Sequence, residues 1–166
     1  MPLENSLNEI ERGLQDMLKS LNLNEEAVSN TPQRVIRAYM ELWRGLFEEK
    51  PAMSAFKGEA GQKIIIDDIQ YTSTCEHHLM LFKGSVRIEF ISEGLFLGLS
   101  KYNRLVQWLA ARPTLQEHLC SAIYNELKHT LKCKNLRVTV TGEHSCVSAR
   151  GIKDACSNTT VEMGAC

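Results

Sequence analysis

Excess charge of either sign is what this sequence most plainly lacks. Nineteen lysines and arginines face 20 aspartates and glutamates, a formal net charge of −1. That balance gives no electrostatic footing on nucleic acid or on an anionic membrane surface, so neither is expected as a partner. Long apolar runs are missing too: nothing approaches the ~20 consecutive apolar residues that span a bilayer. Met1-Pro2-Leu3-Glu4-Asn5 has neither the basic nor the apolar region of a secretory leader, which sets the expectation of a cytoplasmic protein. No repeat or low-complexity tract occurs. Prolines number four and histidines five, so where the histidines fall is informative.

What is present is ordinary for a globular domain: 43% hydrophobic and 23% charged residues in 166. That length buries a core without disulfide staples. Six cysteines (75, 120, 133, 146, 156 and 166) are therefore read as reduced thiols. Cys120 and Cys133 are expected in a helical stretch. The Asn158-Thr159-Thr160 sequon is discounted for a chain that does not meet the glycosylation machinery.

Periodicity organises the chain. Ser6 and Glu9 have the spacing of a capping box ahead of Leu7, Ile10, Leu14, Met17, Leu18 and Leu21, predicting a helix over roughly 7–20. Thr31-Pro32 predicts a second start, followed by an apolar stripe from Val35 to Phe47. Residues 50–62 read as a connector, dividing an N-terminal helical region (1–50) from a second region (51–166). Strand texture follows at 63–69 and 85–91, helices at about 101–112 and 113–132, then strands at 136–140 and, more weakly, 156–162. Helix-helix followed by β-β-α-α-β-β predicts an α+β domain, an antiparallel sheet with helices on one face.

Metal-ligand residues fall in two pieces, Cys75-Glu76-His77-His78 and His144-Ser145-Cys146. A turn can bring Cys75 and His78 onto one metal, and in a strand residues two apart face the same side, so His144 and Cys146 would point together. A lone Cys-x-x-His is usually accidental; the second piece is what points to zinc. Two arrangements remain open. Cys75, His78 and Cys146 make a three-ligand site with a position free for water, leaving His77 and His144 as proton-transfer groups. Adding His144 as a fourth ligand makes a closed structural site.

A third constellation begins at Gly98-Leu99-Ser100-Lys101-Tyr102-Asn103-Arg104, where strand gives way to helix. Ser100 is a plausible cap, and Lys101 and Arg104 project from one side of the first turn, where cations oppose the helix dipole. They suit a phosphate ligand, with Arg150 able to join from the zinc side; the bland reading is two solvated surface cations. Gln116-Glu117 opens the next helix. An acid there usually just complements the dipole, but a carboxylate beside an amide could also accept the N1–H and 2-amino donors of guanine.

Taken in order, Thr31-Pro32-Gln33-Arg34-Val35, Thr74-Cys75-Glu76-His77-His78, Gly98-Leu99-Ser100-Lys101, Arg104-Leu105-Val106, Ala111-Arg112-Pro113, Leu115-Gln116-Glu117, His144-Ser145-Cys146 and Ala149-Arg150-Gly151 resemble GTP cyclohydrolase I over about residues 28–160. The resemblance implies the tunnelling fold, with subunits side by side in barrels, usually a decamer, and active sites between subunits. It implies a zinc enzyme that converts GTP and water to 7,8-dihydroneopterin triphosphate and formate, a first step of pterin, tetrahydrofolate or deazapurine synthesis. Residue by residue it implies zinc on Cys75, His78 and Cys146, favouring the open site; proton transfer by His77 and His144; guanine held by Gln116 and Glu117; Ser100 near the ribose; and triphosphate on Lys101, Arg104 and Arg150. The departures are a shorter N-terminal region than typical bacterial members, His118 where arginine is common, and an unmatched end at Val161–Cys166. Rival readings are a tunnelling-fold relative acting on another purine or pterin, and a non-catalytic, zinc-stabilised oligomeric binding protein.

Overall fold

The computed structural model describes residues 2–166, and the chain divides into two compact units, Met1–Trp43 and Arg44–Cys166. In the first, helix α1 (Pro2–Ser20) packs against α2 (Glu25–Leu42). Both begin earlier than their local signals suggest. Ser6 lies inside α1 instead of capping it. Helix α2 is capped by Asn24, whose side chain accepts from the Ala27 N–H at 2.8 Å, with Glu25 and Glu26 in its first turn. Once that cap and its two acids have nucleated the helix, elongation is cheap, and α2 runs through Thr31 and a buried Pro32.

The second unit opens with a 3₁₀ turn (Arg44–Leu46) and continues as β1 (Phe56–Lys57), β2 (Lys63–Cys75), β3 (Leu81–Ile91), β4 (Leu95–Phe96), α3 (Leu99–Ala110), β5 (Pro113–Thr114), α4 (Gln116–Leu131), β6 (Leu136–His144), α5 (Ser145–Ser148) and β7 (Thr159–Ala165). Its long elements follow the β-β-α-α-β-β order of the tunnelling fold. The segment 44–50, grouped by its helical texture with the N-terminal region, is bonded into this unit: Gly45 N–H donates to Ala111 O at 3.0 Å, Arg112 donates to Gly45 O at 2.8 Å, and Lys50 pairs with Glu126.

The main sheet has the order β5-β2-β3-β6-β7. Its four long strands are antiparallel neighbours, as expected. The β5–β2 pairing is parallel and joins only Thr74–Cys75 to Pro113–Thr114. Pro113 was expected to open a helix; instead the chain stays extended through Leu115, and α4 starts at Gln116. A separate two-stranded sheet joins β1 to β4.

One face of the sheet is apolar and covered. Val86, Ile88 and Phe90 of β3 and Leu136, Val138 and Val140 of β6 are essentially fully buried with Leu105 and Val106 of α3 and Leu119, Ile123 and Leu127 of α4. Each such side chain contributes about 1.5–3 kcal/mol. The other face is polar: Arg87 pairs with Asp67 and Glu89, Lys63 with Glu89, and Thr139 donates to Glu162. Gly84 is dictated by close approach of β3 and β6, since a Cβ there would come 1.8 Å from Thr141 O. Among the described residues no helix is long and apolar enough to cross a membrane.

Candidate active site and metal centre

Strand β2 ends at Cys75, and the chain turns through residues 76–79 before β3. Cys75 N–H donates to Met80 O at 2.8 Å, while Cys75 O accepts from the N–H groups of His78 (3.3 Å) and Leu79 (2.8 Å). Leu79 takes the left-handed conformation that so tight a turn needs, at φ 53°. The turn folds His78 back until its Nδ1 lies 3.6 Å from Cys75 Sγ. That is the Cys-x-x-His geometry anticipated from the spacing.

Cys146 arrives by a different route from the one expected. Strand β6 ends at His144, and Ser145–Ser148 form a helical turn, so Cys146 does not share a strand face with His144. The register Phe82↔His144 sets this turn beside the β2–β3 turn. The donor atoms of Cys75, His78 and Cys146 all lie within 4.8 Å of one another, and His144 is not among them. Two thiolates and one imidazole suit a borderline-soft ion such as zinc, and three protein donors leave room for a further ligand. Burial pushes the Cys146 thiol up, and Cys75 adds to this, while Arg150 pulls it down. A cation between the two sulfurs would favour the thiolates.

The short parallel strand β5 does for α4 what the turn does for His78. Pairing of Thr114 with Cys75, and of the Glu76 N–H with Thr114 O at 3.3 Å, brings the start of α4 beside the metal group. There, Gln116 Oε1 lies 2.8 Å from His144 Nε2, while Gln116 Nε2 donates to Val140 O (2.8 Å) and Thr159 O (2.9 Å). Phe82 stacks on the His144 ring, 4.8 Å between centroids and 3° between planes. Burial lowers the His144 pKa and nearby Glu117 raises it, the net direction being down, toward the neutral ring. His77 is exposed, its ring edge-on to that of His78.

An open pocket of about 410 Å³ is lined by Cys75, His77, His78, Gln116, Glu117, His144 and Cys146, with Thr114, Leu115, Val147 and Thr159. The last four, and Phe82 behind the histidine, carry no chemistry that sequence could flag; they belong to the site through strand pairing. Gln116 is fully engaged within the chain, its Oε1 being taken up by His144. Its two amide donors are spent on backbone carbonyls, so the side chain has no donor left to offer a ligand.

The phosphate constellation is elsewhere. Ser100 does not cap α3: the cap is Gly98, without a side-chain bond, and Ser100 sits in the first turn. Lys101 Nζ donates to Ser54 O at 2.8 Å and also contacts Ser54 Oγ; Arg104 is exposed. Pro113 pairs with Thr74, so α3 ends near the metal group and begins about 17 Å back along its axis, at ~1.5 Å per residue. Ser100, Lys101 and Arg104 do not line the pocket, and neither does Arg150, which is exposed just past α5.

These features define a class: a tunnelling-fold protein carrying a two-cysteine, one-histidine group that could hold a metal, beside a clamped histidine. The chain belongs to the GTP cyclohydrolase I family, whose model matches residues 10–165. It is similar to GTP cyclohydrolase 1 of Shewanella amazonensis, 35% identical over 147 residues that make up 86% of this chain and 68% of that one. The enzyme of Blochmanniella pennsylvanica is 38% identical over 86% and 66% of the two chains, and that of Wigglesworthia glossinidia brevipalpis 36% over 89% and 70%. The chain thus spans about two thirds of the length of these relatives. Among solved structures, the archaeosine synthase QueF-Like in its apo form aligns with a TM-score of 0.48 and 18% identity, over 66% of this chain and 96% of that one.

Proposed function

We propose that this chain is a zinc-dependent GTP cyclohydrolase, converting GTP and water to 7,8-dihydroneopterin triphosphate and formate. The observation that carries the reading is the convergence of Cys75, His78 and Cys146 within 4.8 Å at the mouth of a pocket that also holds His144 and Glu117, in a chain of this family. Cys75, His78 and Cys146 hold zinc. When bound, zinc supplies a Lewis acid that makes water a nucleophile near neutral pH. His144, clamped by Gln116 and Phe82, and His77, exposed at the rim, move protons as the imidazole ring of guanine opens and formate leaves. Glu117 accepts the N1–H and 2-amino donors at the guanine edge, which fixes the base relative to the metal group.

Ser100, Lys101 and Arg104 bind ribose and triphosphate from a second copy of the chain. Two features support this. Within one chain none of these residues lines the pocket that holds the metal group. Among the described residues both sheet edges also offer unpaired backbone: β7 has no outer neighbour, and β2 is paired on its outer side only at Thr74–Cys75. Such edges pair with further strands, so copies can join side by side into a closed ring, a decamer by family resemblance. Arg150, which follows the metal ligands directly, completes the triphosphate site. The reading also makes the protein cytoplasmic, with zinc-ligating thiols kept reduced.

The test is incubation of purified, reduced, zinc-replete protein with GTP, followed by oxidation and dephosphorylation of the products. Neopterin fluorescence together with released formate supports the full reaction. Formate without neopterin means that the ring opens but is not rebuilt. No turnover by an intact, zinc-loaded oligomer refutes the assignment.

A further inference from the structure

Gln116 is 2% exposed, and its carboxamide can be oriented in one way only. Turned over, its oxygen would face Val140 O and Thr159 O, acceptor against acceptor. In the observed orientation both amide hydrogens are donated to those carbonyls. Oε1 is then a pure acceptor, so His144 Nε2, 2.8 Å away, must carry the proton between them. The neutral ring of His144 therefore has its lone pair on Nδ1. Stacking on Phe82 closes one face of the ring and keeps it from tipping out of this arrangement.

The space around the pair is fitted as closely as its hydrogen bonds. A Cβ on Gly142 would come 2.7 Å from the Tyr71 hydroxyl and 3.2 Å from Gln116 Oε1. Tyr71, buried, is anchored in turn by donating to Thr141 O at 3.2 Å. A side chain at 142 would push on the very oxygen that holds the histidine.

We propose that Gln116 is a positioning residue acting through His144: it holds the ring as the Nε2–H form and so makes Nδ1 the atom that accepts and returns the proton during turnover. Gly142 is the residue whose lack of a side chain permits that contact. The inference rests on the cyclohydrolase reading for the word turnover, but the hydrogen bond itself can be examined without it. It reassigns the main effect of the Gln116 side chain from reading the guanine edge to orienting the histidine.

The experiment uses full-length, zinc-loaded protein, deuterated and labelled with ¹⁵N at histidine, together with steady-state kinetics on GTP. The wild type is expected to show a protected imidazole N–H resonance on a ring whose Nε2 is protonated. That resonance should be absent in His144→Ala, which assigns it, and lost to solvent exchange in Gln116→Met. Gln116→Met should lower kcat about 100-fold, the scale on which small misplacements act, with KM for GTP within about twofold and zinc content unchanged. Gln116→Glu keeps an acceptor for Nε2–H but turns its second oxygen against Val140 O and Thr159 O, so it should retain the resonance only in weakened form and recover little of kcat. Gly142→Ala, which leaves Gln116 in place, should weaken both together.

A wild-type ring protonated on Nδ1, or a resonance that survives in Gln116→Met, overturns the proposal. So does a Gln116→Met variant whose KM rises while kcat holds, since that is the signature of a group that binds guanine. If the wild type fails to turn over GTP, the cyclohydrolase reading falls, and the resonance still decides whether Gln116 holds His144.

Discussion

The two ends of helix α3 differ in how much one chain can accomplish alone. Near its C-terminal end, three segments far apart in sequence meet: the β2–β3 turn, the start of α4, and the end of β6 with the turn that follows it. They bring three donor atoms within 4.8 Å and clamp a histidine from two sides. Near its N-terminal end, Lys101 is bonded to Ser54 and Arg104 is exposed, and neither lines the pocket beside the metal group. Groups that must be mutually rigid for bond-making are fixed by a single chain's sheet. On the proposed reading, the groups that need only attract an anion are presented by another copy of the chain. The demands of the chemistry explain the division, because misplacement by an ångström is costly at a reacting atom and much less so for a long-range charge.

Breaking the metal end should have the largest effect. Cys146→Ala removes one of two thiolates, and bound zinc and turnover should collapse together, read by metal analysis and product formation. His144→Ala comes next: turnover should fall about 10²–10⁴-fold with zinc retained. Loss of zinc in that variant would make His144 a ligand and revive the closed four-ligand site. Glu117→Ala should raise KM for GTP about 10–100-fold, as expected for losing hydrogen bonds to a charged acceptor worth ~1.5–3 kcal/mol, with zinc unchanged. Normal saturation would remove guanine holding from its role.

The smallest effect bears most directly on the comparison. Arg104→Ala should weaken GTP binding about tenfold and leave zinc content as it was. Dissociated and reassembled together with Cys146→Ala, it should give mixed oligomers more active than the mean of the two separate variants. Intact metal ends from one chain then meet intact phosphate ends from the other. A mixture no better than that mean would put both ends of a working site on the same chain.

Much of this architecture could be read from local pattern. Alternation over 85–91 and 136–140 marked β3 and the start of β6, since period-two burial is a property of a few neighbouring residues. The Cys75–His78 approach was legible for the same reason, a single turn being enough to bring those residues together. Local signals failed where longer-range structure overrode them. The Thr31-Pro32 start lies within α2 because an earlier cap had already nucleated the helix. Pro113 does not open a helix because pairing with Thr74 holds it extended.

Sequence by itself determined the kinds of chemistry available to this protein: a soft three-donor set, histidines able to carry protons, and a carboxylate at a helix start. Tertiary structure decided which of these act together and in what state. The Gln116–His144 bond, the stacked Phe82, the arrival of Cys146 on a helical turn and the exclusion of Lys101 from the pocket all follow from strand register and helix placement. Those are set by contacts between residues far apart in the chain, and no window of neighbouring residues contains them.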